Sequence, residues 1–153
     1  MSYYEALLFG HLLAAMFWVG GDLMIQMFYL RARAAGPERI LAFSREVEWI
    51  GLRVLNPASL LVVVLGVLLV IEVEGYEFSQ VWISAALAMF LASFITGAGF
   101  LGPESGRIGK LGEERGPTDP EVQRRIGRIL VISRIEFVLL VLIVLDMVLK
   151  PGL

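Results

Sequence analysis

The stretch Val54-Leu-Asn-Pro-Ala-Ser-Leu-Leu-Val-Val-Val-Leu-Gly-Val-Leu-Leu-Val-Ile71 runs for 18 residues without a charge. About 20 mostly apolar residues cross the ~30 Å hydrocarbon core of a bilayer as a helix, so this stretch reads as a membrane span. Three more segments qualify: roughly Tyr4 to Tyr29, Gln80 to Leu101 and Ile126 to Leu149. In the last of these, Phe137 to Leu145 is unbroken by any polar side chain. The fold class expected is therefore all-α, a transmembrane four-helix bundle in one domain.

Composition points the same way. Of 153 residues, 58% are hydrophobic and 18% charged, with a mean hydropathy of +0.77. Soluble domains average about 45–50% apolar and about 25% charged residues, so a water-facing surface for this chain would be too greasy. A net charge of −2 suggests no nucleic-acid partner. The absence of cysteine excludes disulfides, iron–sulfur clusters and thiolate zinc sites. The first apolar run lacks a basic leader and an A-x-A-like cleavage site, so it is read as a retained span.

Local signals set the ends. Ser79 is placed to cap the third helix, and Asp119-Pro120-Glu121 supplies a cap, an N1 proline and an early carboxylate for the fourth. Pro37-Glu38 opens an amphipathic helix over about 37–53, expected to lie at the cytoplasmic interface. Asn56-Pro57 marks a kink or break. The glycine-rich stretch over about 102–119 is expected to be a mobile cytoplasmic loop. Gly97-Ala-Gly-Phe-Leu-Gly102 matches G-x-G-x-x-G but closes an apolar helix, so close packing or a hinge explains it better than a nucleotide.

The loops orient the bundle. Arg31, Arg33, Arg39, Arg45 and Arg53 lie between spans one and two, and Arg107, Lys110, Arg115, Arg124 and Arg125 between three and four. Between spans two and three there are only Glu72, Glu74 and Glu77. The positive-inside rule then puts both basic segments in the cytoplasm and both termini outside a multi-pass cell-membrane protein.

His11 is the chain's only histidine, and it lies inside the first span, where an ionisable group is functional by default. His11, Trp18 and Asp22 return to nearly one helix face at 3.6 residues per turn. The imidazole is either a metal or haem ligand or a neutral group bonded to a backbone carbonyl. Asp22 is expected to pair with Arg134 on the fourth span or with Arg53 at the mouth of the second. Glu136 points to another side of its helix from Arg134, and Thr96 and Ser93 offer hydrogen bonds at similar depth. These intramembrane polar residues either fix helix register or line a pathway. No nucleophile–histidine–acid set or histidine-rich zinc site can be assembled.

The motifs His11-x6-Trp18-x-Gly20-Gly21, Glu48-Trp49-Ile50-Gly51-Leu52-Arg53 and Asn56-Pro57-Ala58 resemble those of short predicted integral membrane proteins of unknown function. They are also distantly similar to HemJ-type protoporphyrinogen oxidases and CopD-type copper-resistance domains. The resemblance implies a b-type haem with His11 as axial ligand to the iron, and it carries Arg53 and Pro57 onto that family's second helix. Trp18 would line the pocket, with Arg53 or Arg134 meeting the propionates. The HemJ-type third-helix lysine has no counterpart between Val81 and Met89, so the oxidase activity is not expected. A redox-associated haem protein, a proton-coupled permease using Asp22, Arg134 and Glu136, and a non-catalytic scaffold are the three readings. Each sits in the lipid bilayer, as a homo-oligomer.

Overall fold

A computed structural model, described for residues 1–152, consists of helices and turns. Helix α1 spans Tyr3–Ala35, α2 Pro37–Ile50, α3 Asn56–Glu72, α4 Val81–Thr96, α5 Gly102–Arg115 and α6 Pro120–Leu149. Two π-helical turns, Gly51–Leu55 and Gly97–Leu101, join α2 to α3 and α4 to α5 without a break. The chain is thus four rods, and those over Pro37–Glu72 and Val81–Arg115 are 36 and 35 residues long. At 1.5 Å per residue such rods measure about 50 Å, well beyond the ~30 Å of hydrocarbon. We call the end that holds both the start of α1 and the end of α6 the upper end.

Capping explains the outer limits. The Ser2 hydroxyl accepts from the Glu5 N–H at 3.2 Å while the Glu5 carboxylate accepts from the Ser2 N–H at 2.7 Å, a reciprocal capping box. Asp119 accepts from the N–H groups of Glu121 and Val122 at 2.9 and 3.3 Å, as its sequence position requires. Ser79 does not cap α4. Gln80 holds that position, and the Ser79 hydroxyl bonds the Glu77 carboxylate at 3.0 Å instead.

The prolines explain the π turns. Asn56 and Gly102 each donate to a carbonyl five residues back, on Gly51 and Gly97. Each is followed by a proline, whose ring would strike the carbonyl four residues earlier in an α-helix. Widening the turn moves that carbonyl aside. Asn56-Pro57 is therefore not a break: the helix passes through it.

The four rods pack around two successive cores. α1 lies chiefly against α3, α2 against α5, and α4 against α6. The upper core joins Ala14, Trp18, Ala58, Val62, Leu140 and Ile143. The lower core includes Ile25, Tyr29, Phe43, Ile108, Val122 and Ile129. The amphipathic helix α2 spends its apolar face here, on Ile40, Leu41, Phe43 and Val47. It stands in the bundle against α5 and α1, whereas the sequence pattern places it at the interface before the second span. The outward faces of the upper half stay apolar and exposed, as at Phe17, Leu61, Ile95 and Val138.

The glycine-rich stretch over 102–115 is a helix, contrary to the mobile loop expected from its composition. A Cβ on Gly106, Gly109 or Gly112 would collide with Glu48, Arg45 or Leu41 respectively. Those glycines, three residues apart, form a groove on α5 into which one ridge of α2 settles. Low side-chain bulk serves packing here. The lower end is tied by Glu104, which is 3% exposed and receives Arg125 at 2.7 Å. Arg125 also reaches Glu121 at 2.9 Å. Hydrogen bonds from Arg124 first, and then from Arg125, hold the Glu121 carboxyl below the ordinary glutamate range.

The rods Tyr3–Ala35, Pro37–Glu72 and Val81–Arg115 are each long and apolar enough to cross a membrane. The apolar part of α6 carries Arg134, Glu136 and Asp146, and it does not join them on composition.

Candidate functional site: two cavities divided by Trp18

Two cavities lie one above the other within the bundle, and Trp18 lines both. Its indole is buried, 7% exposed, and packs edge-on to Phe90 at 5.5 Å.

The upper cavity, about 280 Å³, is walled mainly by apolar side chains of α1, α3, α4 and α6, among them Leu8, Val62, Val70, Ile83 and Phe90. His11 lines it, with Nδ1 2.9 Å from the Val62 carbonyl oxygen. A carbonyl only accepts, so Nδ1 carries a proton, and in the neutral form of the ring the lone pair then lies on Nε2. Gly66 lets the ring lie flat against α3, since a Cβ there would stand 3.1 Å from His11 Cε1. Lys150 stands at the upper rim. Its Nζ donates to the Tyr76 hydroxyl at 2.6 Å and lies 5.1 and 5.2 Å from the Tyr76 and Trp82 ring centres.

The lower cavity, about 70 Å³, carries carboxylate and hydroxyl side chains on an otherwise apolar wall and sits at the height of both π turns, which line it through Gly51, Leu55, Gly97, Ala98 and Leu101. Asp22 and Glu136 face it, each 6% exposed. Glu136 accepts a hydrogen bond from the Ser93 hydroxyl. Gln26 donates to both the hydroxyl and, at 3.1 Å, the carbonyl of Ser133. The Asp22 Oδ2, the Tyr29 hydroxyl and the Ser105 hydroxyl are buried on this wall without a hydrogen-bond partner.

The expected pairings change accordingly. Arg134 and Arg53 are both exposed, line neither cavity, and make no ion pair with Asp22. The buried face of α6 runs through Ile126, Ile129, Ser133, Glu136, Leu140 and Ile143. Arg134, one residue past Ser133, is turned about 100° away from that face. Asp22 therefore meets Glu136, a like charge. Thr96 also stands apart, donating to the Ala92 carbonyl at 2.9 Å within its own helix. Sequence reading passed over Gln26, Tyr29, Ser59, Ser105 and Ser133, although Gln26 and Tyr29 follow Asp22 at helical spacing and Ser133 precedes Glu136 by three.

These features define an all-helical integral membrane protein with a divided interior. The chain belongs to the family of predicted integral membrane proteins DUF2269, whose model matches residues 5–151. No curated protein and no solved structure matches it. The family match does not extend to the HemJ-type and CopD-type proteins.

Proposed function

We propose that this is a multi-pass cell-membrane protein that binds b-type haem through His11 in the upper cavity. All four rods cross the bilayer, α6 included, because it packs along α4 and α1 and buries its own polar residues Ser133 and Glu136 inward. The basic residues of α1, α2, α5 and α6 gather at the lower end, which puts that end in the cytoplasm and both termini outside.

The observation that carries the haem reading is the tethered imidazole. With Nδ1–H held by the Val62 carbonyl, the ring is fixed in orientation and presents a basic Nε2, the arrangement that metal-ligating histidines use. The residues around it fit a flat apolar macrocycle: the cavity wall is aliphatic and aromatic, Gly66 leaves the ring unobstructed, and Trp18 closes the floor. Arg53 and Arg134 lie elsewhere, so the cation left to meet the propionates is Lys150 at the rim. Bound there, haem supplies one-electron redox chemistry. His11 would hold it, Trp18 would exclude water from below, and Lys150 would meet its acidic edge.

The test is the visible spectrum of detergent-solubilised protein, purified through a tag that contains no histidine. The wild-type chain is expected to show a Soret band that His11→Ala removes and that Gly66→Val, which crowds the imidazole, diminishes. A full Soret band in His11→Ala, or none in haem-supplemented wild type, refutes the reading.

A further inference from the structure

Asp22 and Glu136 are charged residues buried in the membrane part of the bundle without a counter-ion. Among the described residues, no lysine or arginine makes an ion pair with either. Two ionised carboxylates that share a low-dielectric cavity repel one another and lose their hydration. Fixed protein charge does not relieve this, so relief comes from something mobile.

The wall of the lower cavity indicates what that is. Set in an otherwise apolar wall, the ligand atoms it offers are oxygens, those of the two carboxylates and of the hydroxyls of Ser59, Ser93, Ser105 and Ser133, with no sulfur or imidazole among its lining residues. Hard oxygen ligands select hard cations. Three of these wall residues hold a buried polar atom without a partner, namely Asp22 Oδ2, the Tyr29 hydroxyl and the Ser105 hydroxyl. Tyr29 and Ser105 are 2% and 0% exposed, lie outside the carboxylate pair and set their hydroxyls beside one another on the same wall. Among the described residues no group of three acidic or histidine side chains gathers to hold a metal ion. Two carboxylates in about 70 Å³ form a sparse set for a divalent ion, since calcium takes about 6–8 oxygens and magnesium retains much of its water.

We infer that the lower cavity is a binding site for one hard monovalent cation, held between Asp22 and Glu136 and supported by the serine hydroxyls. The two π turns form its other wall. The site is closed from the upper cavity by Trp18 and is independent of His11. The cation is either a proton shared by the two carboxyls or a dehydrated sodium-sized ion, and the same residues hold both. Asp22, Glu136 and Tyr29 are the titratable groups on its wall; Arg134 faces outward from α6.

The experiment is thermal unfolding of the full chain in detergent, along two titrations. In the first, sodium chloride replaces N-methyl-glucamine chloride at constant ionic strength and pH. In the second, pH is varied in the absence of sodium. A ligand that binds only the folded state raises its midpoint saturably. A sodium-dependent rise, lost in Asp22→Asn and in Glu136→Gln, supports the metal-ion occupant. A rise on acidification with no sodium effect, lost in the same variants, supports the proton. Ser133→Ala removes a wall hydroxyl and keeps both carboxylates, and it is expected to weaken the dependence, while His11→Ala leaves it intact. A wild-type midpoint flat in both titrations overturns the proposal without recourse to any variant. So does a dependence that survives in both carboxylate variants.

Discussion

Replacing Gly112 by alanine asks whether α5 is pressed against α2 or hangs free. A Cβ at position 112 would overlap the Cγ and both Cδ atoms of Leu41, whose Cγ would stand only 2.9 Å away. Leu41 is 8% exposed and belongs to the lower core. Clearing the clash means swinging Leu41 about χ1, which takes Cγ and both Cδ atoms out of the space they fill in the lower core. Overpacking of this kind costs about 1–3 kcal/mol, and exchanging glycine for alanine in a helix returns about 1 kcal/mol. The net expectation is a loss of about 0–2 kcal/mol. Gly127 is the control. It is exposed on α6 with nothing within 4 Å of a built Cβ, so Gly127→Ala is expected to gain about 1 kcal/mol. Leu41→Ala alone is expected to cost about 2–5 kcal/mol. Combined with Gly112→Ala it should cost less than the sum, because the new methyl fills part of the hole. Circular dichroism in the far ultraviolet follows thermal unfolding of the wild type and the four variants in one detergent. A Gly112→Ala chain that gains as much stability as Gly127→Ala refutes the packed groove and restores the loop.

Two further perturbations probe the lower end. Asp119→Ala removes the acceptor for two N–H groups of α6 and should cost about 0.5–2 kcal/mol, read as a lower midpoint in the same assay. Glu121 tests pH dependence. Its carboxyl is held below the usual range by hydrogen bonds from Arg124 and Arg125, so the folded chain favours the ionised form. Its stabilisation is therefore present above the unfolded glutamate value, about 4.3, and is lost as pH falls through the lower folded value. Wild type and Glu121→Gln should differ at neutral pH and converge on acidification. Midpoints that converge on raising the pH would contradict the assignment.

Much of the architecture is legible in the sequence because hydropathy and capping are local. The apolar runs locate the rods, and Asp119-Pro120 fixes a helix start before any tertiary contact forms. What escaped reading depends on a partner. A helix rich in glycine has the composition of a loop until α2 is laid over it, and only then does the spacing of Gly106, Gly109 and Gly112 acquire meaning. Pro57 looks like a break because the π turn that absorbs it lies in the backbone, not in residue identity. In the candidate site, depth along α1 and α6 suggested Asp22 with Arg134, whereas rotation about the axis decides the matter. Ser133 and Glu136 share the face of Ile126 and Leu140, and Arg134 does not. Charge complementarity was the wrong guide there, and the period of the buried face was the better one.

The paired π turns carry a mechanical consequence. Each is a point where a long rod departs from the α-helical ladder, and the two turns meet each other at one height. Below them α2 and α5 are 14 residues each, and above them α3 and α4 are 17 and 16. The arms are thus about 21 Å and about 25 Å, close to balance. Were the two rods to hinge at these turns, a sideways displacement of the lower tips would be returned at the upper tips with nearly equal amplitude and opposite sense. The lower cavity lies at the height of the turns, where displacement would be least, and the upper cavity lies between the upper arms.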